Sequence, residues 1–296
     1  MSHILTLCGQ PLPKAIVEKV SNGLFAIGVD VGAMDELSPN RAIDIAINTE
    51  DPAALLPIIN GLIGEAPVDW YLGPAVNRRK QVLVADMDST IITRECLDEL
   101  ADYAGVKPEI AAITERAMAG ELDFEGALKE RIGILVAKGV GEAVLQTCFD
   151  ERIELSEGAR IAVTTMAKHG AVTALVSGGF TFFTERVAKA AGFANQRANT
   201  LLFDNGNLTG VADPILGADA KLSAVQDYCA EKGVDVSDAL CIGDGSNDRI
   251  MVEAAGLGIA YNGHKILRDA ADAQINHTDL TTLLYFQGYK QADFAA

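Results

Sequence analysis

Large apolar side chains recur at helical spacing at Leu55, Ile58, Ile59 and Leu62, whereas residues 42–47 alternate small or charged with large apolar positions at period two. The first spacing predicts a helix and the second a half-buried strand. The same reading, carried from the start of the chain, gives strand 4–8, helix 13–24, strand 25–31, strand 42–48, helix 52–63 and strand 68–72. Asn48 and Asp51 offer capping oxygens near the second helix. The resulting order, βαββαβ, is that of a ferredoxin-like split βαβ unit.

Residues 73–80 read as a linker: a Gly73-Pro74 breaker, then the basic run Arg78-Arg79-Lys80. The predicted domains are therefore 1–75 and 76–296. Beyond the linker, strands are expected at 82–85, 172–176 and 239–242, with a short one at 258–260. Helical stretches separate them, which argues for an α/β, doubly wound parallel sheet with its ligand crevice at the carboxyl ends of the strands. Residues 97–103, 108–119, 124–137 and 141–149 have helical periodicity and no strand between them. This helical insert, about 91–157, interrupts the sheet domain after its first strand and is placed to cap the crevice. Residues 280–294 continue with helical character.

Composition narrows the function. The 296 residues carry 24 Lys and Arg against 41 Asp and Glu, a net charge of −17, which disfavours nucleic acid and anionic membrane surfaces as partners. A small anionic substrate stays open, because one cation in a cleft reverses the local potential. Hydrophobic residues at 49% and charged residues at 22% fit a globular chain. No stretch reaches the roughly 20 apolar residues of a membrane span, and the first residues lack a basic leader region. The five cysteines are odd in number and include no CxxC pair, which points to a reduced, cytoplasmic setting. His3, His169, His264 and His277 are scattered and read as solvated surface, and Cys96 as a buried structural thiol.

The candidate chemistry sits at strand ends. Val82–Ala85 delivers Asp86 and Asp88 into the crevice, and two close acids raise each other's pKa unless a hard cation such as Mg²⁺ offsets them. Alone, Asp86-Met87-Asp88 is also consistent with an Asp-rich turn. The next strand ends in Ser177-Gly178-Gly179, where a hydroxyl and two residues without side chains let backbone amides approach an anion, although a plain Gly-rich turn reads the same way. The third ends in Gly243-Asp244-Gly245-Ser246-Asn247-Asp248. Lys221, which by itself would pass for a surface lysine, precedes Asp244 by 23 residues.

Asp-x-Asp, Ser-Gly-Gly and Gly-Asp-Gly-x-Asn-Asp on three strand ends, with a lysine between the last two, resemble the haloacid dehalogenase (HAD) superfamily of phosphotransferases. Glu95, Met118, Phe124 and Arg131 in the insert make the likeness closer to its phosphoserine phosphatases, and the amino-terminal unit resembles the ACT-like regulatory domains of bacterial members. The resemblance implies Mg²⁺-dependent hydrolysis of O-phospho-L-serine to L-serine and phosphate, the last step of serine biosynthesis. It assigns Asp86 as nucleophile, Asp88 as acid and base, and Lys221, Ser177, Gly178 and Asn247 as phosphate holders. Mg²⁺ would be held by Asp86, the Asp88 carbonyl and Asp244, with Asp248 orienting Lys221 or a metal-bound water. Glu95 and Arg131 would hold the ammonium and carboxylate of the substrate, and Met118 and Phe124 would form an apolar lid. A free amino acid at the first domain and a homodimer are the further candidate partners. Two alternatives remain: a phosphatase or phosphotransferase for another phosphoamino acid such as phosphohomoserine, and a catalytically inactive amino-acid-binding regulatory protein.

Overall fold

The computed structural model describes residues 2–118 and 121–295, and for Met118 and Ala218 the backbone only. The first six elements are β1 (Ser2–Gly9), α1 (Lys14–Ala26), β2 (Asp30–Ser38), β3 (Ala42–Asn48), α2 (Leu56–Ile63) and β4 (Val68–Pro74). The strands form an antiparallel sheet in the order β2-β3-β1-β4. Leu5, Leu7, Ile45 and Ile47 on one sheet face bury against Val20 and Leu24 of α1 and Ile59 and Ile63 of α2. Asp51 accepts from the Ala54 amide at 3.1 Å just ahead of α2.

One predicted strand is displaced. The apolar residues Phe25 and Ile27 suggested strand 25–31, but α1 continues to Ala26 and the chain turns at Gly28 (φ +85°) before β2 begins at Asp30. Phe25 and Ile27 are 72% and 54% exposed, so their apolarity marks no buried strand. β2 is an edge strand with little burial, which leaves it without the alternation that sequence reading relies on.

The remaining elements are β5 (Val82–Ala85), α3 (Cys96–Tyr103), α4 (Lys107–Met118), α5 (Phe124–Ala137), α6 (Glu142–Arg152), α7 (Ala159–Lys168), β6 (Val172–Phe180), α8 (Thr181–Ala191), β7 (Asn195–Asn199), β8 (Leu201–Asp204), β9 (Asn207–Val211), α9 (Ala218–Lys232), β10 (Ala239–Gly243), α10 (Arg249–Ala254), β11 (Leu257–Tyr261), α11 (Lys265–Arg268), β12 (Ala273–Ile275) and α12 (Thr282–Phe286). Six of these strands make a parallel sheet in the order β12-β11-β10-β5-β6-β7. β5 has no polar position to give to water and is buried throughout, as a central parallel strand covered on both faces must be. Val163, Met166, Phe183 and Val187 of α7 and α8 pack on one side of the sheet, while Ala224, Val225, Met251 and Val252 of α9 and α10 pack on the other. From β5 the chain winds outward through β6 and β7, then returns to β10 and winds the opposite way. That reversal opens a crevice at the carboxyl ends of β5 and β10.

Helices α3 to α6 form the insert. Its two connections run side by side, with the Thr93 amide bonded to the Glu154 carbonyl at 3.0 Å and the Ser156 amide to the Ile91 carbonyl at 2.9 Å. The β8–β9 hairpin, unforeseen from sequence, reaches this insert: the Glu142 amide donates to Gly206 and the Leu208 amide to Val140, each at 3.0 Å.

The basic linker is docked. Arg78 bonds both Asp44 oxygens at 2.6 and 3.0 Å, and the Thr6 hydroxyl donates to the same carboxylate at 2.6 Å. Asp69 of β4 accepts from the amides of Asn276 and His277 and from the Thr278 hydroxyl. The five thiols are buried and unpaired. Among the described residues no helix is long and apolar enough to cross a membrane.

Candidate active site

A cavity of about 340 Å³ lies at the crevice, between the strand ends and the insert. Asp86, Asp88, Glu95, Phe124, Arg131, Ser177, Gly178, Asp244 and Asn247 all line it. Sequence spacing thus brought together residues up to 161 positions apart, those at Asp86 and Asn247.

Two carboxylates two residues apart share the cavity because the chain does not stay extended. Ser89 adopts φ +53°, ψ 6°, so the segment after β5 turns back on itself and the Ile92 amide reaches the Met87 carbonyl at 3.0 Å. Asp88 then accepts from the Cys96 amide (2.8 Å) on Oδ1 and from the Ser177 hydroxyl (3.2 Å) on Oδ2. The Gly179 amide donates in turn to Ser177 Oγ at 2.8 Å. A side chain at Gly179 would begin 3.0 Å from Ser177 Oγ and 3.2 Å from Asp88 Oδ2, so glycine is what lets this backbone approach.

Lys221 reaches in from the second turn of α9 and is 3% exposed. Its Nζ lies 2.7 Å from Asp86 Oδ1 and 2.5 Å from Asp248 Oδ1. The other oxygen of Asp248 accepts from the amides of Asp244 and Gly245 at 3.2 and 3.0 Å. Asp248 therefore orients Lys221 and also shapes the loop that carries Asp244.

Burial pushes Asp86 well above the usual carboxylate range, Asp248 adds to the rise, and Lys221 opposes it. Asp88 is also raised by burial, against the pull of its bonds to Cys96 and Ser177. Burial and then the charge of Asp248 lift Asp244 to about 6. For Lys221 burial favours the neutral form, but Asp86 and Asp248 outweigh it and hold the ammonium. Asp86, Asp244 and Asp248 each bring a carboxylate oxygen within 4.8 Å of the others. Three acids against one lysine leave excess negative charge among hard oxygen donors, a donor set that fits a small divalent cation.

Over this floor the insert supplies groups of both signs. Glu95 accepts from the Ser89 hydroxyl at 2.6 Å and is lifted to about 7 by burial and then by Asp88. Arg131 is steadied by an Nε bond to the Ala127 carbonyl at 3.2 Å, and burial draws its pKa down against the charges of Asp98 and Glu95. Phe124 opens α5 behind the Asp123 cap, and its ring lies 3.3 Å from where a Gly178 side chain would start. The expectation for Met118 falls on a side chain outside the described residues.

Two residues do more than their sequence readings suggest. His264, exposed as expected, also lines the cavity, and its amide donates to the Asp244 carbonyl at 2.8 Å. A lone histidine after β11 carried no signal of this, because a loop closing on the Asp244 loop brings it there. Cys96 is a buried thiol as expected, its pKa raised by burial and by Asp88, but its amide also holds Asp88. Backbone contributions of that kind leave no trace in residue type.

The profile of the haloacid dehalogenase-like hydrolases matches residues 83–253. A phosphoserine phosphatase of Archaeoglobus fulgidus is 42% identical over 208 residues, 70% of this chain and 60% of that protein's length. A phosphoserine phosphatase of Mycobacterium tuberculosis is 32% identical over 302 residues, spanning 100% of this chain and 73% of that protein. Among solved structures, a HAD family hydrolase from Salmonella enterica superposes with a TM-score of 0.84 at 28% identity, covering 96% of this chain and 98% of its own.

Proposed function

This chain belongs to the haloacid dehalogenase-like hydrolase family, and on that premise we propose that it hydrolyses O-phospho-L-serine to L-serine and phosphate, the reaction that ends serine synthesis. The observation that carries the substrate is the pairing of Glu95 and Arg131 on the insert side of a cavity whose floor holds Asp86, Asp88 and Ser177. A phosphoamino acid has an ammonium, a carboxylate and a phosphate: Glu95 suits the first and Arg131 the second, while Ser177 and the buried Lys221, 2.7 Å from Asp86, suit the third.

An oxygen of Asp86 attacks phosphorus as the bond from phosphorus to the serine oxygen breaks, giving an acyl phosphate. Asp88 donates its proton to the departing oxygen, then takes one from the water that attacks the acyl phosphate, so that phosphate leaves and Asp86 is restored. Cys96 keeps Asp88 in position through Oδ1, leaving Oδ2 on the side of Ser177. Ser177, the Gly178 amide and Lys221 hold the phosphoryl oxygens, and Asn247 helps to seat them. Mg²⁺, with Asp86, Asp244 and the Asp88 carbonyl as its holders, would neutralise charge between carboxylate and phosphate when bound. Phe124 supplies an apolar edge on the insert side of the cavity.

Residues 1–75 form the regulatory part of the same proposal, with a free amino acid as ligand. Phosphate release from L-phosphoserine, phosphohomoserine and phosphothreonine, with Mg²⁺ and with chelator, tests the reading in native protein and Asp86→Asn. Preference for phosphoserine, and loss of turnover with chelator or Asp86→Asn, is expected. Turnover by Asp86→Asn would overturn the mechanism, and turnover of phosphohomoserine alone would overturn the substrate.

A further inference from the structure

The ladder between β6 and β7 breaks where the chemistry begins. Val176 pairs with Arg197 and Phe180 pairs with Asn199, so Ser177, Gly178 and Gly179 all face a single residue, Ala198. A bulge of this kind leaves carbonyls without ladder partners. Asn199, 2% exposed, meets that need with its side chain: Nδ2 donates to the Gly178 carbonyl at 2.8 Å.

The carbonyl of Gly178 and the amide of Gly179 belong to one peptide plane and point in opposite directions across it. Holding the carbonyl on Asn199 therefore aims the Gly179 N–H the other way, where it donates to Ser177 Oγ at 2.8 Å. The same side chain grips a second loop. Its Oδ1 accepts from the Leu216 amide at 2.7 Å, and Nδ2 also lies 3.4 Å from the Leu216 carbonyl. Gly217 follows at once as the cap of α9, the helix that carries Lys221.

Phe124 of the insert rests over both loops, 3.3 Å from a side chain at Gly178 and 3.8 Å from one at Gly217. We infer that Asn199 is a positioning residue for phosphoryl transfer: it locks the Gly178–Gly179 peptide to the Leu216–Gly217 turn and so sets the Ser177 loop, the Lys221 helix and the seat of Phe124 relative to one another. The inference rests on reading Ser177–Gly179 as the phosphate loop. Asn199 itself touches no reacting atom.

Asn199→Leu keeps the branched four-atom side chain, at a somewhat larger volume, and removes all three bonds, while Asn199→Asp keeps the acceptor for Leu216 and loses the donor to Gly178. Both are compared with wild type and Ser177→Ala for kcat, KM, and inhibition by orthovanadate and by L-serine, each rate expressed per folded molecule. The expected result is a fall in kcat on the order of tenfold to a hundredfold, with vanadate inhibition weakened at least fivefold and L-serine inhibition within twofold, since Glu95 and Arg131 are untouched. A purely structural role would reduce the folded fraction and leave vanadate inhibition unmoved. If either folded variant retains kcat and vanadate inhibition within twofold of wild type, the inference is overturned. Failure of the substrate reading would appear separately, as no phosphoserine turnover by wild type or full activity in Ser177→Ala, and the Asn199 comparison then proceeds on p-nitrophenyl phosphate.

Discussion

Replacing Lys221 by Met retains most of the buried stem and deletes one charge. In the native site that charge sits 2.7 Å from Asp86 and 2.5 Å from Asp248, residues that are 4% and 0% exposed. Removing one partner from a buried ionic group costs about 3–5 kcal/mol, because the remaining charges stay desolvated. For a chain of this size class that is a drop in melting temperature on the order of 10 °C. Loss of a transition-state donor should lower kcat by about a hundredfold or more.

The sign with pH is fixed by Asp86. Burial and Asp248 already hold its folded pKa above the unfolded value, and Lys221 is the group pulling it back. Without the lysine it rises further. A raised folded pKa stabilises the fold below the unfolded value and loses that contribution as pH climbs through the folded value. The deficit of Lys221→Met should thus be largest at pH 7 to 8 and shrink toward pH 5. Thermal denaturation of both proteins across that range, in chelator, measures it. Added Mg²⁺ should return part of the loss, since a cation replaces the missing charge. An equal deficit at pH 5 and pH 8 would refute the electrostatic argument and leave only packing.

Gly179→Ala brings a methyl to 3.0 Å from Ser177 Oγ and 3.2 Å from Asp88, so steady-state kinetics should show kcat falling about tenfold or more, with a stability cost of about 1–3 kcal/mol. Gly178→Ala meets only the edge of the Phe124 ring, at 3.3 Å, and should act mainly on KM. Glu95, lifted to about 7, carries its charge only above that pH, so kcat/KM for phosphoserine should decline below pH 7. In Glu95→Gln the profile should be lower throughout and lose the break at pH 7; an unchanged break there would exclude Glu95 as its source. Arg78→Ala strips Asp44 of its ion pair across the linker and should cost about 2–3 kcal/mol in thermal denaturation, discounted for the partial exposure of the arginine, while kcat stays within twofold.

How far the sequence speaks for this site depends on which part of a residue is at work. In the proposed mechanism Asp86, Asp88, Ser177, Asp244 and Lys221 act through side chains whose type the chemistry demands. They also follow apolar runs whose period announces buried strands, or, for Lys221, stand at a set distance from one. Their convergence at one crevice was legible, and helical periodicity alone located the helices between β5 and β6. β7 was not, because Asn195-Gln196-Arg197-Ala198-Asn199 offers neither alternation nor a continuous apolar run. β8, β9 and β12 are short and share that difficulty.

The consequence reaches the chemistry. Asn199 closes the missed strand, and its amide does work that only a break in the β6–β7 ladder creates. His264 and the Cys96 amide are of the same kind, defined by loops that meet only after the sheet has formed. A sequence pattern identifies groups that must be ionised or nucleophilic, since few residue types can serve. It is silent on groups that aim them, because any donor or acceptor delivered by the fold to the right place will do. Variants at such positions should therefore leave the reaction type unchanged and alter how often the reacting groups are in register, which is why vanadate inhibition, more than turnover alone, separates Asn199 from a bystander in the core.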